Sequence, residues 1–498
     1  VTHKGAKFMV IEPAKGEYKH VFGNRVDVSV FGTNPHYSAL LKINPFAFPE
    51  KIHVLEHIDR LIEIFNVCWP MYAAMPAVLK DALLTSYEDC GWDLIDSVNQ
   101  NGVKMYPTFI DLQEALTDVI KDSAYSQEIK GNYVGALITR VNSLTNGLNA
   151  QIFTADEIDN SDLFDENVIV DLSRIGSPET KALIMGTLIM RLNEYRMSEA
   201  KVMNELFKHV TVLEEAHNIL KRTSTDQNPE NPSLTGKAVE MLSNAIAEMR
   251  TYGEGFIIVD QSPGAVDISA VRNTNTKIIM RLPEKNDRYL SGKAAGLRDE
   301  QLEEIAKLPK GVAVVYQNDW VEPVLCKIRQ YDSNESEYKY SPDEYVEKVI
   351  RDVRKNILLL LLQGRVDAPV VIDVGIIKEN LNKINLSAKD KLIIIGLLKE
   401  YEQYNKLSLW SDDKFEILNK IVSNVVNGRS KMKKATGRFT DITELFKETI
   451  KVIRAQVKDL PVEYIKMIVR CMIVREAGEC EEYKEKYVEL LNEFFCKG

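Results

Sequence analysis

Val210-Thr211-Val212-Leu213-Glu214-Glu215-Ala216-His217 runs a short apolar stretch straight into two adjacent carboxylates. An uninterrupted β-branched and aliphatic run suits a strand buried on both faces, which is the habit of parallel sheets. A strand leaving a core must meet water, so acids at its end have a plain structural reading. A second stretch adds to the first. Gly255-Phe256-Ile257-Ile258-Val259-Asp260 is another apolar run, and it stops at Gln261. Two buried strands would then deliver polar groups to one edge of one sheet, and in open α/β sheets ligands bind beyond the carboxyl ends of the strands.

Working outward, Lys7-Phe8-Met9-Val10-Ile11 reads as a further buried strand, preceded by Gly5 as a helix C-cap and followed by Glu12-Pro13-Ala14-Lys15-Gly16-Glu17-Tyr18, again an acid at a strand end. Val26 to Phe31 alternates as a short strand, and Leu41 to Phe46 leads out of the sheet. Between 49 and 165 helical spacing takes over: Ile58, Leu61, Ile62 and Phe65 share one face, as do Leu112, Leu116, Val119 and Ile120. Trp69, Met71, Tyr72 and Met75 read as packing residues. The sheet resumes at Val168–Leu172, and Ser177-Pro178 opens a helix with Met185, Leu188, Ile189 and Leu192 on its buried stripe. A polar loop from Lys221 to Lys237 is long for a compact domain. Strands are also expected at Lys277–Leu282, Val312–Tyr316 and Val324–Ile328, and strand–helix alternation argues a mostly parallel, helix-flanked sheet. Beyond Tyr331 the pattern is helical, with Pro369–Ile372 as a candidate short strand. The expected divisions are 1–48 and 166–335 for the α/β core, 49–165 for a helical insertion and 336–498 for a helical C-terminal extension.

The chain has 498 residues, enough for roughly three domains at about 150 residues each. Its 45% hydrophobic and 27% charged residues are those of a globular protein, neither disordered nor fibrous. The net charge of −10 means that bulk attraction does not draw it to nucleic acid, so polyanion binding needs local patches. One such patch, Arg429, Lys431, Lys433, Lys434 and Arg438, falls in a stretch that reads as a linker. The six cysteines include no CxxC pair and the seven histidines show no ligand-like spacing with them, which argues against a structural zinc or a disulfide framework and suits a reducing cytoplasm. The longest aliphatic run, Ile357 to Leu362, is far short of the ~20 residues needed to span a bilayer.

Two strand-end acids beside a strand-end glutamine point to a P-loop-type NTPase core. Such hydrolysis needs a phosphate cradle, a magnesium ion held partly by an acid, a polarised water and a cation on the γ-phosphate. Glu214 suits the magnesium, through water, because glutamate is one methylene longer than the aspartate usual there. Glu215 suits the general base, and Gln261 the γ-phosphate or the water. No GxxxxGK[ST] pattern occurs in the 498 residues, and the phosphate loop is expected upstream of Val1.

The runs Phe8–Tyr18, Leu213-Glu214-Glu215-Ala216-His217-Asn218, Arg250-Thr251-Tyr252-Gly253-Glu254-Gly255, Asp260-Gln261-Ser262-Pro263 and Asn273–Leu282 resemble the HerA-like branch of the HerA/FtsK ATPases. The resemblance covers roughly 1–48 and 166–330. It implies a RecA-like motor that binds ATP and Mg2+, hydrolyses ATP between subunits of a homo-hexamer and moves double-stranded DNA through the ring. It also implies DNA processing or anti-phage defence beside a partner nuclease or other effector. An arginine acting in trans is implied, with Arg250, Arg281 and Arg288 as candidates. Glu12 and Glu17 are implied to support the nucleotide site. Lys221, Arg222 and Lys237 are available for DNA phosphates. A type IV secretion-type ATPase and a non-hydrolysing ring-forming scaffold are the rival readings.

Overall fold

The computed structural model describes residues 5–222, 234–331, 336–342, 344–366, 370–404, 410–411, 414–439, 441–458 and 460–496, without the side chains of 234, 344 and 345. The first four residues and 223–233, most of the polar loop, thus lie outside the described residues, as does Pro369.

The strands in chain order are β1 (Lys7–Glu12), β2 (Val28–Gly32), β3 (Ala39–Leu40), β4 (Trp92–Asp93), β5 (Val98–Asn99), β6 (Asn167–Asp171), β7 (His209–Leu213), β8 (Glu254–Ile258), β9 (Thr276–Ile279), β10 (Val312–Gln317) and β11 (Val324–Lys327). Six of them form one sheet in the order β3-β2-β6-β1-β7-β8. Every pairing in it is parallel. The near-continuous apolar runs in β1 and β6 are explained by this placement, since helices or sheet neighbours cover both faces of a central parallel strand. This is the α/β, RecA-like core expected, with a helical C-terminal region.

The last three strands differ from the expectation. β9, β10 and β11 form a separate antiparallel sheet in the order β11-β10-β9. Their residues show why: Ile279 is buried beside an exposed Ile278, and Leu325 is 64% exposed, the one-sided burial that antiparallel strands tolerate and parallel ones do not. The stretch 370–372 is irregular and forms no strand. The basic patch lies mostly on a helix, Gly428–Thr436, where Lys431 hydrogen-bonds Gln456 and the Val426 carbonyl.

Residues 49–165 do not pack apart from the sheet. Helix Val54–Cys68 buries Ile58, Leu61, Ile62 and Phe65, and helix Phe109–Asp122, held by a Thr108/Asp111 capping box, buries Leu112, Leu116 and Ile120. These side chains join Met9, Ile11, Val168 and Leu213 of the strands in one continuous core. Trp69 stacks on Phe65 at 4.5 Å and Met75 is buried, whereas Tyr72 is exposed. Helix Pro178–Glu199, capped by Ser177 through the Thr180 amide, puts Met185, Leu188, Ile189 and Leu192 into the same core.

The C-terminal helices have their own core, in which Ile357 to Leu362 are all buried. It meets the insertion where Asp111 accepts from the amides of Ala388 and Lys389 at the start of helix Ala388–Tyr404. Lys391, fully buried at this junction, is pushed by desolvation from 10.5 down to about 8. Its charge is therefore a cost to the folded state below about pH 8, and that cost fades as the pH rises toward 10.5. Lys391→Met is expected to be more stable than the native protein near pH 7 in urea unfolding, with the difference narrowing between pH 8 and 10.5. A difference that stays constant with pH would count against the buried charge.

Candidate active site

The β7 ladder continues past its last residue: the Glu214 amide donates to the Ile11 carbonyl at 3.1 Å and the Val259 amide to Leu213 at 2.9 Å. The two acids therefore stand at the carboxyl edge of the parallel sheet. There the chain turns sharply. Glu215 has φ 47° and ψ 52°, a left-handed backbone that costs a non-glycine residue on the order of 1 kcal/mol or more. The surroundings hold it: the Asn218 side chain donates to the Glu215 carbonyl at 2.7 Å, and the Ala216 amide to the Val259 carbonyl at 3.2 Å. Adjacent residues leaving a strand face opposite ways, and the partners of the two acids lie on different segments, Tyr18 just beyond β1 and Gln261 just beyond β8.

Glu214 turns toward β1. Its Oε1 accepts from the Tyr18 hydroxyl at 2.5 Å. Burial, and then Glu214 itself, push the Tyr18 phenol well above its usual value, so it remains a donor at any ordinary pH. Tyr18 is placed by Glu12, whose carboxylate is 4% exposed and accepts from the Glu17 amide at 2.7 Å and the Tyr18 amide at 3.2 Å. Burial raises the Glu12 pKa against those two amides, which lower it. The turn needs Gly16, with φ +71°, because a Cβ there would sit 3.0 Å from Ser173 Oγ and 3.1 Å from Asp171 Oδ2. Asp171, at the end of β6, is buried, but hydrogen bonds from Lys19 and Ser173 outweigh that and hold its carboxyl below the ordinary range. Lys19 is thus spent on Asp171 at 2.5 Å. Tyr18→Phe is expected to destabilise the folded state by about 1.5–3 kcal/mol in denaturant unfolding, the range for a hydrogen bond to a charged group. No measurable change would mean that the hydroxyl is exchanged for water without loss.

Glu215 turns toward β8. Its Oε1 accepts from Gln261 Nε2 at 2.7 Å, and its Oε2 lies 3.5 Å from His217 Nδ1. Ligand atoms of Glu215, His217 and Asp260 all lie within 4.8 Å of one another, the one such group among the described residues. That group includes a ring nitrogen, which suits transition metals better than Mg2+, a cation of oxygen ligands and retained water. Glu214 fits Mg2+ better, since its second carboxylate oxygen has no hydrogen bond among the described residues.

The other residues singled out in the sequence are spread over the fold. Glu17 has an exposed side chain on the same turn as Tyr18. Arg250 is exposed in the 3-10 turn before β8, at the opposite end of the sheet from Glu215, about 16 Å away at ~3.3 Å per strand residue. Arg281 is exposed just after β9. Arg288 is buried, donates to the carbonyls of Leu282 and Pro283 and pairs with Glu303 at 3.4 Å, so its guanidinium is committed to its own chain. Lys221 and Arg222 are exposed, and their backbone is tied to Val266 and Ala265. Lys237 lies on helix Leu234–Glu248 rather than in a loop, and with Arg60 and Glu240 it lines a cavity of about 490 Å³ that none of the strand-end acids lines. The sequence reading missed Tyr18, His217 and Asp260 as site residues. Their signal was position alone: each is within two residues of a strand-end acid or of Gln261, or closes the turn after β1.

No family model matches the chain. It is 26% identical over 166 residues to the DNA double-strand break repair helicase HerA of Sulfolobus acidocaldarius, covering 33% of this chain and 32% of that protein. It is 26% identical over 182 residues to the protein of the same name from Sulfurisphaera tokodaii, covering 36% and 35%. The matches thus span about a third of the length of these curated relatives. Among solved structures, VirB4 of Thermoanaerobacter pseudethanolicus superposes with a TM-score of 0.50 at 17% identity, covering 66% of this chain and 83% of that one, which is a likeness of fold. By those sequence matches, the chain is related to the HerA-like P-loop ATPases.

Proposed function

We propose that this chain forms the hydrolytic half of an ATP-driven motor of the HerA type, which moves double-stranded DNA through a homo-hexameric ring in DNA processing or in defence against foreign DNA. The observation that carries this reading is the meeting of Glu215 with Gln261 across the ends of two adjacent parallel strands, at 2.7 Å. Glu215 accepts a proton from the attacking water at Oε2, while Gln261 holds its other oxygen and keeps the carboxylate aimed. Glu214, steadied by Tyr18, would hold Mg2+. That ion would neutralise charge on the phosphates. Arg250 and Arg281, both exposed, are the arginines free to reach a neighbouring subunit, and Lys221, Arg222 and Lys237 offer charge to DNA phosphates. The curated relatives are helicases by name, which supports the nucleic-acid part of the reading.

Because none of the 498 residues forms GxxxxGK[ST], the chain by itself is expected to bind ATP weakly, with Kd near or above about 1 mM, some 4 kcal/mol of binding energy. Supplied with a phosphate loop in cis or by a partner, it should hydrolyse ATP faster when duplex DNA is added, and DNA affinity should fall steeply with salt. Calorimetry and a coupled turnover assay measure both. Hydrolysis that ignores duplex DNA at every concentration would sink the translocase reading. Tight ATP binding by the chain alone would show that other residues cradle the phosphates.

A further inference from the structure

Asp260 makes a pair with His217 that the scheme above does not use. Its Oδ2 accepts from the backbone amide of His217 at 2.9 Å and contacts the Nδ1 of the same residue at 2.9 Å. Its Oδ1 accepts from the Ser262 amide at 2.8 Å. The Asp260 side chain is 5% exposed, so this pairing is sheltered, while the His217 side chain is 39% exposed. The Asp260 carboxylate already accepts from two backbone amides, and with the carboxylate as acceptor the hydrogen of the ring bond sits on Nδ1. The same ring stands beside Glu215, the residue held in a left-handed backbone two positions earlier. Gln261 reaches Glu215 Oε1 from the other side. Asp260 and Gln261 are consecutive just beyond β8, so this segment hydrogen-bonds Glu215 directly through Gln261 and sets the His217 ring beside it through Asp260.

A turn needing only support for its backbone would be satisfied by the bond from the His217 amide to Asp260. The ring bond is additional, and it fixes both the tautomer and the rotation of the imidazole. At 3.5 Å, Nδ1 is too far from Glu215 Oε2 for a good hydrogen bond to it, so Oε2 is flanked by the ring and left free for water.

We infer that Asp260 and His217 form a positioning pair for Glu215, in which Asp260 locks the His217 ring in its Nδ1–H tautomer and the ring, packed beside Oε2 while Gln261 bonds Oε1, restricts the rotation of the Glu215 carboxylate. The role assigned to Glu215 rests on the hydrolytic reading, whereas the tautomer does not depend on it.

The tautomer is read directly by nitrogen–proton correlation spectra of the 498-residue chain labelled at its seven histidines, with the His217 signal identified by its loss in His217→Ala. The expected native spectrum shows Nδ1–H, and Asp260→Ala moves His217 toward Nε2–H. An Nε2–H ring in the native protein, or no response to Asp260→Ala, overturns the pair whatever the turnover shows. Positioning is tested in the loop-supplied protein with two amides. Asn places its nitrogen where Nδ1 is, and Gln places its nitrogen where Nε2 is. His217→Asn should retain kcat within about threefold, whereas His217→Gln and His217→Ala should lose roughly ten- to a hundredfold in kcat with KM unchanged, the range for groups that orient a reacting ligand. Equal kcat in native and His217→Ala protein overturns the positioning role. Should Glu215→Gln leave hydrolysis unchanged while the tautomer is as expected, the hydrolytic reading fails and the Asp260–His217 bond stands as structural.

Discussion

Glu215→Gln is expected to reduce ATP hydrolysis by about 10²- to 10⁴-fold in protein supplied with a phosphate loop, the usual contribution of a positioned general base. The substitution is chosen because it changes little else. Gln at 215 keeps an oxygen that can accept from Gln261 Nε2, now at 2.7 Å, so the pose survives while the proton acceptor is lost. Nucleotide affinity should stay within a few fold, since Glu215 is not placed to hold the phosphates. Glu214→Gln should behave differently. It keeps an acceptor for Tyr18 and removes a negative charge from the position assigned to Mg2+, so it should raise the Mg2+ concentration needed for half-maximal turnover. A steady-state assay across Mg2+ concentrations separates the two. Equal rates for native and Glu215→Gln protein would reject the base, and with it the motor.

The acids and Gln261 were legible because a parallel sheet makes their position a matter of counting: a buried apolar run defines the strand, and the residues just beyond it must lie at the carboxyl edge. Register did the rest, pairing Leu213 with Ile258 so that both strands end together. Other features leave no such pattern. The antiparallel β9–β11 sheet depends on which face of each short strand is covered, and a four-residue strand holds too few alternations to show it. The union of the insertion with the sheet in one core is a tertiary fact, since helix Val54–Cys68 has the same amphipathic pattern whatever it packs on. The bond from Tyr18 to Glu214 joins residues 196 positions apart, and only the fold brings them together. The resemblance to HerA-like ATPases pointed to the Gly16-Glu17-Tyr18 turn but directed attention to its glutamate, while the structure turns its tyrosine inward.

The largest stability effect is expected at the other end of the same two strands. Glu254, which opens β8 and is 2% exposed, accepts from Arg196 Nε at 2.9 Å, pairs with His209 Nδ1 at 2.8 Å and accepts from Thr211 Oγ1 at 2.8 Å. Arg196, 1% exposed, also donates to Asp165 at 2.6 Å and to the Phe164 carbonyl. The cluster pins the register of β7 on β8 at its origin, His209 against Glu254, and so sets how Glu215 meets Gln261 at the far end. Arg196→Met fills similar space but leaves Glu254 as a buried carboxylate short of its cationic partner, which costs about 3–5 kcal/mol. With about 2–4 °C lost per kcal/mol in a domain of this size, the unfolding midpoint should drop by roughly 6–20 °C. The penalty belongs mainly to the stranded charge, so adding Glu254→Gln to Arg196→Met should restore part of the loss, a non-additive result for residues in direct contact. A midpoint for Arg196→Met within about 2 °C of native would show that water reaches Glu254 and satisfies it. A double variant as unstable as the sum of the two singles would show that the two side chains act independently.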